Sequence, residues 1–194
     1  MKGNSIMEKI QNNIVFLLHF IRYPRRVGTP LPCARSIGSA VARELENAGA
    51  SKVVELGSGL GSITQGILDA IDHSTRLLCI EKTPAFCQQL KNRFEDRVVV
   101  VQGNALELKS ILSGTEWDKP DAVVCSIPMA NDFAGLLCNE IAKVLYPDKL
   151  FLQVTNYNSA IEEYFTINKT LRFMANVPPE QLHIAIPREG LFNK

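Results

Sequence analysis

Val53-Val54-Glu55-Leu56-Gly57-Ser58-Gly59-Leu60-Gly61-Ser62 decides the reading of this chain. Two β-branched residues and a leucine form a short apolar run, the pattern of a buried strand. Three glycines follow at alternate positions. Ile63, Ile67, Leu68 and Ile71 then recur at helical spacing. The unit is strand, glycine turn, helix. Such a turn lets backbone approach a ligand with no Cβ in the way, and it aims the free N–H groups of a helix start at that ligand.

Spacing narrows the ligand. The dinucleotide fingerprint is G-x-G-x-x-G, whereas here Gly57, Gly59 and Gly61 alternate and Ser62 holds the third dinucleotide position. Glu55 stands two residues before the first glycine. This E-x-G-x-G-x-G pattern resembles motif I of the class I methyltransferases, which bind S-adenosylmethionine (SAM). The next apolar run, Leu77-Leu78-Cys79-Ile80, ends in Glu81. In a doubly wound sheet an acid at that place can accept both hydroxyls of a ribose. The alternative is an ordinary glutamate at a strand end.

Composition is that of a globular protein: 194 residues, 46% hydrophobic, 21% charged, net charge +1. That length suits one domain with a sizeable core. The overall charge gives no argument for nucleic acid. Up to residue 43, however, Lys2, Lys9, Arg22, Arg25, Arg26, Arg35 and Arg43 face only Glu8. The five cysteines show no C-x-x-C spacing and the three histidines are scattered, so no zinc site is expected. Cys79 and Cys125 lie in apolar runs and read as buried thiols of a cytosolic protein. No stretch reaches the ~20 apolar residues of a spanning helix, and the first residues make a poor signal peptide.

The rest of the chain alternates. A helix over 5–22, with Ile6, Ile10, Ile14, Leu17, Leu18 and Ile21 on one side, stops before Pro24. It either packs on the domain or rests on an anionic membrane surface beside Arg22, Arg25 and Arg26. A helix over 36–48, strand 52–56, helix 63–72 and strand 76–81 follow. Then come a helix from Pro84, strand 98–101, strand 121–125, helix 133–145 and strand 150–154. A short helix is expected from Asn156 to about Phe165, and a terminal antiparallel pair at 171–177 and 182–186. Strand–helix alternation predicts a doubly wound, mostly parallel, seven-stranded sheet with helices on both faces. Gly103-Asn104-Ala105 follows the third strand; the Asn side chain can both accept from and donate to an adenine edge, or simply cap a turn.

The glycine loop, Glu81, Gly103-Asn104-Ala105 and the proline after strand four together resemble a class I SAM-dependent methyltransferase of Rossmann-like fold over about residues 50–155. More narrowly, the chain resembles the small bacterial phospholipid N-methyltransferases, which methylate phosphatidylethanolamine. Phe20-x-x-x-Pro24-x-x-Val27-Gly28-x-x-x-Pro32 is similar to their N-terminal segment, Ser126-Ile127-Pro128 to their Ser-Gly-Leu-Pro, Gln153-Val154-Thr155 with Tyr157 to their Gln-Phe-Thr-Tyr, and Asn176-Val177-Pro178-Pro179 to their Asn-x-Pro-Pro. The chain departs at Cys33 and Ala34, usually serines; at Ile127, where a glycine is missing; at Asp148 and Lys149, usually glycines; and at His183, usually aromatic.

The resemblance implies a SAM site built from Glu55, Gly57, Ser58, Gly59, Gly61, Glu81, Lys82, Asn104 and Ala105. Ser126 and Tyr157 are then candidates at the acceptor amine, where Ser126 would otherwise only cap the following turn and Tyr157 only pack; Arg25, Arg26 and Arg188 either pair with lipid phosphate or are solvated. A cytoplasmic enzyme touching the inner membrane face through residues 5–26 would follow. Three other readings remain at this point: a methyltransferase for a small soluble amine, an adenine dimethyltransferase of ribosomal RNA, and a SAM-binding scaffold without activity. The RNA family has Asn-Leu-Pro-Tyr or Asn-Ile-Pro-Tyr where this chain has Ser126-Ile127-Pro128-Met129, so a nucleic-acid partner is disfavoured.

Overall fold

The computed structural model describes residues 32–129, 132–155, 161–174 and 179–189. The helix expected over 5–22, with its three arginines, lies outside the described residues, as do Tyr157 and residues 175–178.

The first element, α1 (Pro32–Asn47), begins four residues earlier than its apolar pattern suggested, since proline is tolerated in a first helical turn. It leads into β1 (Lys52–Leu56), α2 (Ser62–Leu68), β2 (Arg76–Glu81) and α3 (Pro84–Phe94). Then follow β3 (Val98–Gln102), the short α4 (Leu108–Leu112), β4 (Ala122–Cys125), α5 (Asp132–Ala142) and β5 (Leu150–Thr155). The chain closes with β6 (Phe165–Phe173) and β7 (Glu180–Pro187).

The strands form one seven-stranded sheet in the order β3-β2-β1-β4-β5-β7-β6. All neighbours are parallel except β7, which runs antiparallel to both β5 and β6. The doubly wound expectation holds. The tail needs correction. Phe165 does not end a helix: Ile161–Glu163 is a single 3-10 turn, and β6 starts at Phe165. Phe165 is fully buried and its ring lies 4.4 Å from that of Phe151. The expected terminal antiparallel pair is present, but its first strand starts six residues earlier than expected, because its period breaks at a bulge between Ile167 and Lys169.

Strand periodicity sorts the core into two layers. Val53, Leu77, Cys79, Val124 and Leu152 face Ile37, Val41 and Leu45 of α1, Ile67 of α2, and Leu90 and Phe94 of α3. Val54, Leu56, Leu78, Ile80, Val123 and Phe151 face Leu108, Leu112, Leu137 and Ile141 of α4 and α5. Central parallel strands buried on both faces read as continuous apolar runs for this reason. On the first face α1 and α2 cross in backbone contact. A Cβ on Gly38 would come within 2.6 Å of Gly66 Cα and 2.7 Å of the Ile63 carbonyl.

From β1 the chain winds outward through β2 to β3, then returns to β4 on the other side of β1. The carboxyl ends of β1 and β4 therefore flank a topological switch point, where open α/β sheets place their ligand crevice.

Candidate active site

Each loop glycine has a separate task. All three have left-handed φ angles, +75° at Gly57, +54° at Gly59 and +78° at Gly61. A Cβ on Gly57 would fall 2.4 Å from Cγ1 of Ile127, which lies just past β4. A Cβ on Gly61 would fall 2.5 Å from the Phe94 ring, so this glycine seats α2 against α3. A Cβ on Gly59 meets nothing within 4 Å. Gly59 thus presents bare backbone to open space, with no Cβ to keep a ligand off the chain.

Glu81, at the end of β2, holds this loop. Its Oε2 accepts from Gly59 N–H at 3.0 Å and its Oε1 from Thr83 N–H at 2.8 Å. The carboxylate is 7% exposed, and each oxygen keeps acceptor capacity beyond the bond it already makes. A ribose edge on Gly59 would find this acid already oriented. The Gly57 N–H donates to the Ile80 carbonyl at 2.9 Å, and Gly61 N–H to that of Ser58 at 2.8 Å.

Beneath the loop sits Glu55, fully buried on the α1–α3 face of β1. Thr64 Oγ1 donates to its Oε2 at 2.7 Å, and the Cys79 thiol lies 3.5 Å from the same oxygen. Burial pushes the Glu55 carboxyl up to about 7; Thr64, Cys79 and Ser58 pull it down, and the Glu81 charge adds a smaller upward push. Among the described residues its Oε1 has no hydrogen-bond partner, and neither has the buried Ser58 hydroxyl, which lies near enough to act on the acid without forming a bond of normal geometry. A buried polar atom left unpaired costs about 1–3 kcal/mol.

The remaining expected residues divide. Asn104 caps the turn Ala105–Glu107, its Oδ1 accepting from Leu106 N–H at 3.2 Å, so its amide NH2 is the end left for a base. Ala105 is buried next to it, and Lys82 is exposed beside Glu81. Ser126 does not act on the turn that follows it. Its Oγ donates to the Gly57 carbonyl at 2.9 Å, and its N–H to that of Leu56 at 3.1 Å. It ties the end of β4 to the glycine loop, and its lone pairs remain for an acceptor group. Arg188 is exposed; its N–H donates to the Tyr164 carbonyl.

Sequence reasoning missed Thr64, Thr83 and the role of Ile127. Thr64, a small polar residue on the buried side of an amphipathic helix, was the available signal. It missed Gln153 as a site residue as well: a polar residue within Leu150–Val154, it is fully buried, and its Nε2 donates to the Val154 and Ile127 carbonyls at 2.9 and 3.4 Å.

Comparison with known proteins agrees with this geometry. The chain is 27% identical over 156 residues to an ornithine lipid N-methyltransferase from Singulisphaera acidiphila, covering 78% of this chain and 81% of that one. Its fold matches an O-methyltransferase from Bacillus cereus in complex with S-adenosylhomocysteine (SAH), with TM-score 0.65 and 15% identity, over 97% of this chain and 92% of that one. It also matches the N-methyltransferase NodS from Bradyrhizobium japonicum in complex with SAH, with TM-score 0.63 and 14% identity, over 86% and 92%. The chain spans only 54%, 66% and 63% of three longer structures of this fold. A family model described as the TrkA-N domain matches residues 58–168. That span holds the end of the glycine loop, the acid that ends β2 and the parallel strands β2 to β5, parts common to doubly wound sheets; β1 with Glu55 and the antiparallel β7 lie outside it. The chain belongs to the TrkA-N domain family by this match over more than half its length, and it has the fold of the class I SAM-dependent methyltransferases.

Proposed function

We propose that the protein is a SAM-dependent N-methyltransferase whose acceptor is the amine of a membrane lipid headgroup. One observation carries the cofactor half: Gly59, bare towards open space, is tied through its N–H to the buried Glu81 carboxylate at a topological switch point. A ribose-bearing cofactor fits that arrangement, with Glu81 on its hydroxyls, the Asn104 amide on its base and the N–H groups at the start of α2 towards its far end. When bound, SAM supplies a methyl group on an activated sulfonium. The chain's own task is then to hold nucleophile and methyl in line. Ser126, fixed on the Gly57 carbonyl, stands where the crevice opens between β1 and β4. Ile127, whose side chain lies against Gly57, supplies an apolar wall beside it.

The lipid half rests on the relative that methylates an ornithine lipid. The motif resemblance points instead to phosphatidylethanolamine; both are primary amines, whose free pKa of about 10.4 requires loss of a proton before attack. No helix among the described residues is long and apolar enough to cross a membrane, and contact with the bilayer is assigned to residues 5–26.

The test is incubation with methyl-labelled SAM and, separately, vesicles of phosphatidylethanolamine, vesicles of ornithine lipid, ethanolamine in solution, and ribosomal RNA. Label in either lipid is the expected result, and it also decides between the two headgroups. Label confined to ethanolamine or RNA would replace the lipid reading. SAM binding without labelled product would leave a scaffold.

A further inference from the structure

The carboxyl end of the sheet carries a second polar group beyond the glycine loop. Gln153 on β5 stands level with Cys125 on β4 and with His183 on β7, and His183 stands level with Thr170 on β6. The Gln153 amide is anchored on two carbonyl oxygens, those of Val154 and Ile127. Carbonyls admit only the NH2 end of an amide, so the opposite end is its oxygen. That Oε1 is buried and has no partner among the described residues. Next to it, His183 is 8% exposed, with its Nδ1 2.9 Å from Thr170 Oγ1. Burial pushes its imidazole pKa down, against a smaller upward pull from the Glu162 charge, so near neutral pH the ring keeps a lone pair.

The row adjoins the crevice. Ile127, whose carbonyl holds the Gln153 amide, lays its side chain against Gly57. Ser126, one residue earlier, is bonded to the Gly57 carbonyl. The uncharged acceptor Gln153 Oε1 therefore stands one strand over from the end of β4, with the His183 ring one strand further; where Nδ1–H donates to Thr170 Oγ1, Nε2 is a second acceptor.

We infer that Gln153 Oε1 and His183 form the subsite for the methyl-accepting amine, selecting a nitrogen that still carries N–H donors. This rests on the methyltransferase reading above. A fully methylated ammonium has no N–H left to give, so the same pair releases the end product.

The experiment separates this inference from the reading it rests on. Protein labelled with 13C in its histidine rings, with and without saturating SAH, is titrated with butylammonium chloride and with tetramethylammonium chloride. The His183 resonance is identified by its loss in His183→Phe. It should shift with butylammonium and stay in place with tetramethylammonium. Gln153→Leu should weaken the butylammonium response at least tenfold. Gln153→Glu, which keeps the volume and adds a charged acceptor, should strengthen it. An equal response to both cations, or to neither, overturns the inference, as an ordered water would then serve Oε1. In turnover, Gln153→Leu should raise KM for the amine at least tenfold and leave KM for SAM within twofold. If the wild-type protein methylates a lipid amine and the variant does so with unchanged KM, the inference falls and the methyltransferase reading stands. If the wild type methylates nothing, that reading falls and the titration alone decides the inference.

Discussion

The two ends of the parallel sheet treat their polar groups differently. At the amino end, Asp121 is saturated: Oδ2 accepts from Ser51 N–H, Ser51 Oγ and Lys52 N–H at 2.9–3.0 Å, and Oδ1 meets Lys149 Nζ at 3.0 Å. This carboxylate closes the starts of β1, β4 and β5 together. Desolvation would raise its pKa, but Lys149 and the β1 donors outweigh that and hold it down to about 2. At the carboxyl end, Glu55 Oε1, Ser58 Oγ and Gln153 Oε1 are buried with no partner among the described residues. One end is finished by folding. The other carries unmet hydrogen-bonding capacity and an acid pushed up to about 7, and perturbed, incompletely satisfied groups are where chemistry is expected.

The sharpest test of this contrast is the pH dependence of stability. From about pH 4.5 to 7 the folded state holds the Glu55 proton and the unfolded chain releases it. The folded state then binds more protons, so stability falls as pH rises through that window, and the penalty is complete above about 7. The full effect is on the order of 3 kcal/mol. Glu55→Gln should remove this decline, seen as a flatter urea-unfolding free energy between pH 4.5 and 7. An unchanged slope would mean that Glu55 is not held protonated.

Next in size is the loop. Gly59→Val should weaken SAM binding at least about a hundredfold, or ~2.7 kcal/mol, by filling the open side of the loop and disfavouring its positive φ. Cooperative unfolding should persist, because the added Cβ meets no protein atom within 4 Å. Tight binding by the variant, measured by calorimetry, would make the loop a structural turn only.

Asp121→Ala should do the opposite. Loss of its bonds should cost about 2 kcal/mol of stability, with SAM affinity within twofold of wild type. A parallel loss of affinity would erase the distinction between the two ends. Glu81→Ala has the smallest expected effect, a loss of more than about 1 kcal/mol in SAM binding. Calorimetry showing unchanged affinity with the fold intact would remove Glu81 from the ribose.

Much of the frame was legible in the sequence. Strands β1 and β2 begin and end where the apolar runs do, because strands covered on both faces have no polar alternation to blur them. Gly57, Gly59, Gly61 and Glu81 were legible because backbone conformation and chain order place them. Only the end of β6 was legible, within the expected antiparallel pair: its exposed Thr166, Lys169, Thr170 and Arg172 and its bulge hide the strand period before that. Helix α2 also ends at Leu68, although Ile71 continues its apolar spacing. The Thr64–Glu55 bond and the Gln153–His183 pairing were illegible for another reason. Each joins residues from different elements, and only the folded register brings them level.

The crossing of α1 and α2 at Gly38 and Gly66 braces the helix that follows the glycine loop. Where two helices meet through interlocking side chains, rotamer changes can take up small displacements. Here backbone rests on backbone, and no such compliant layer lies between them. The first turn of α2, which begins at the glycine loop, is thereby clamped from outside the site. Gly38→Ala, on a different helix from the glycine loop, would act like a wedge driven under it.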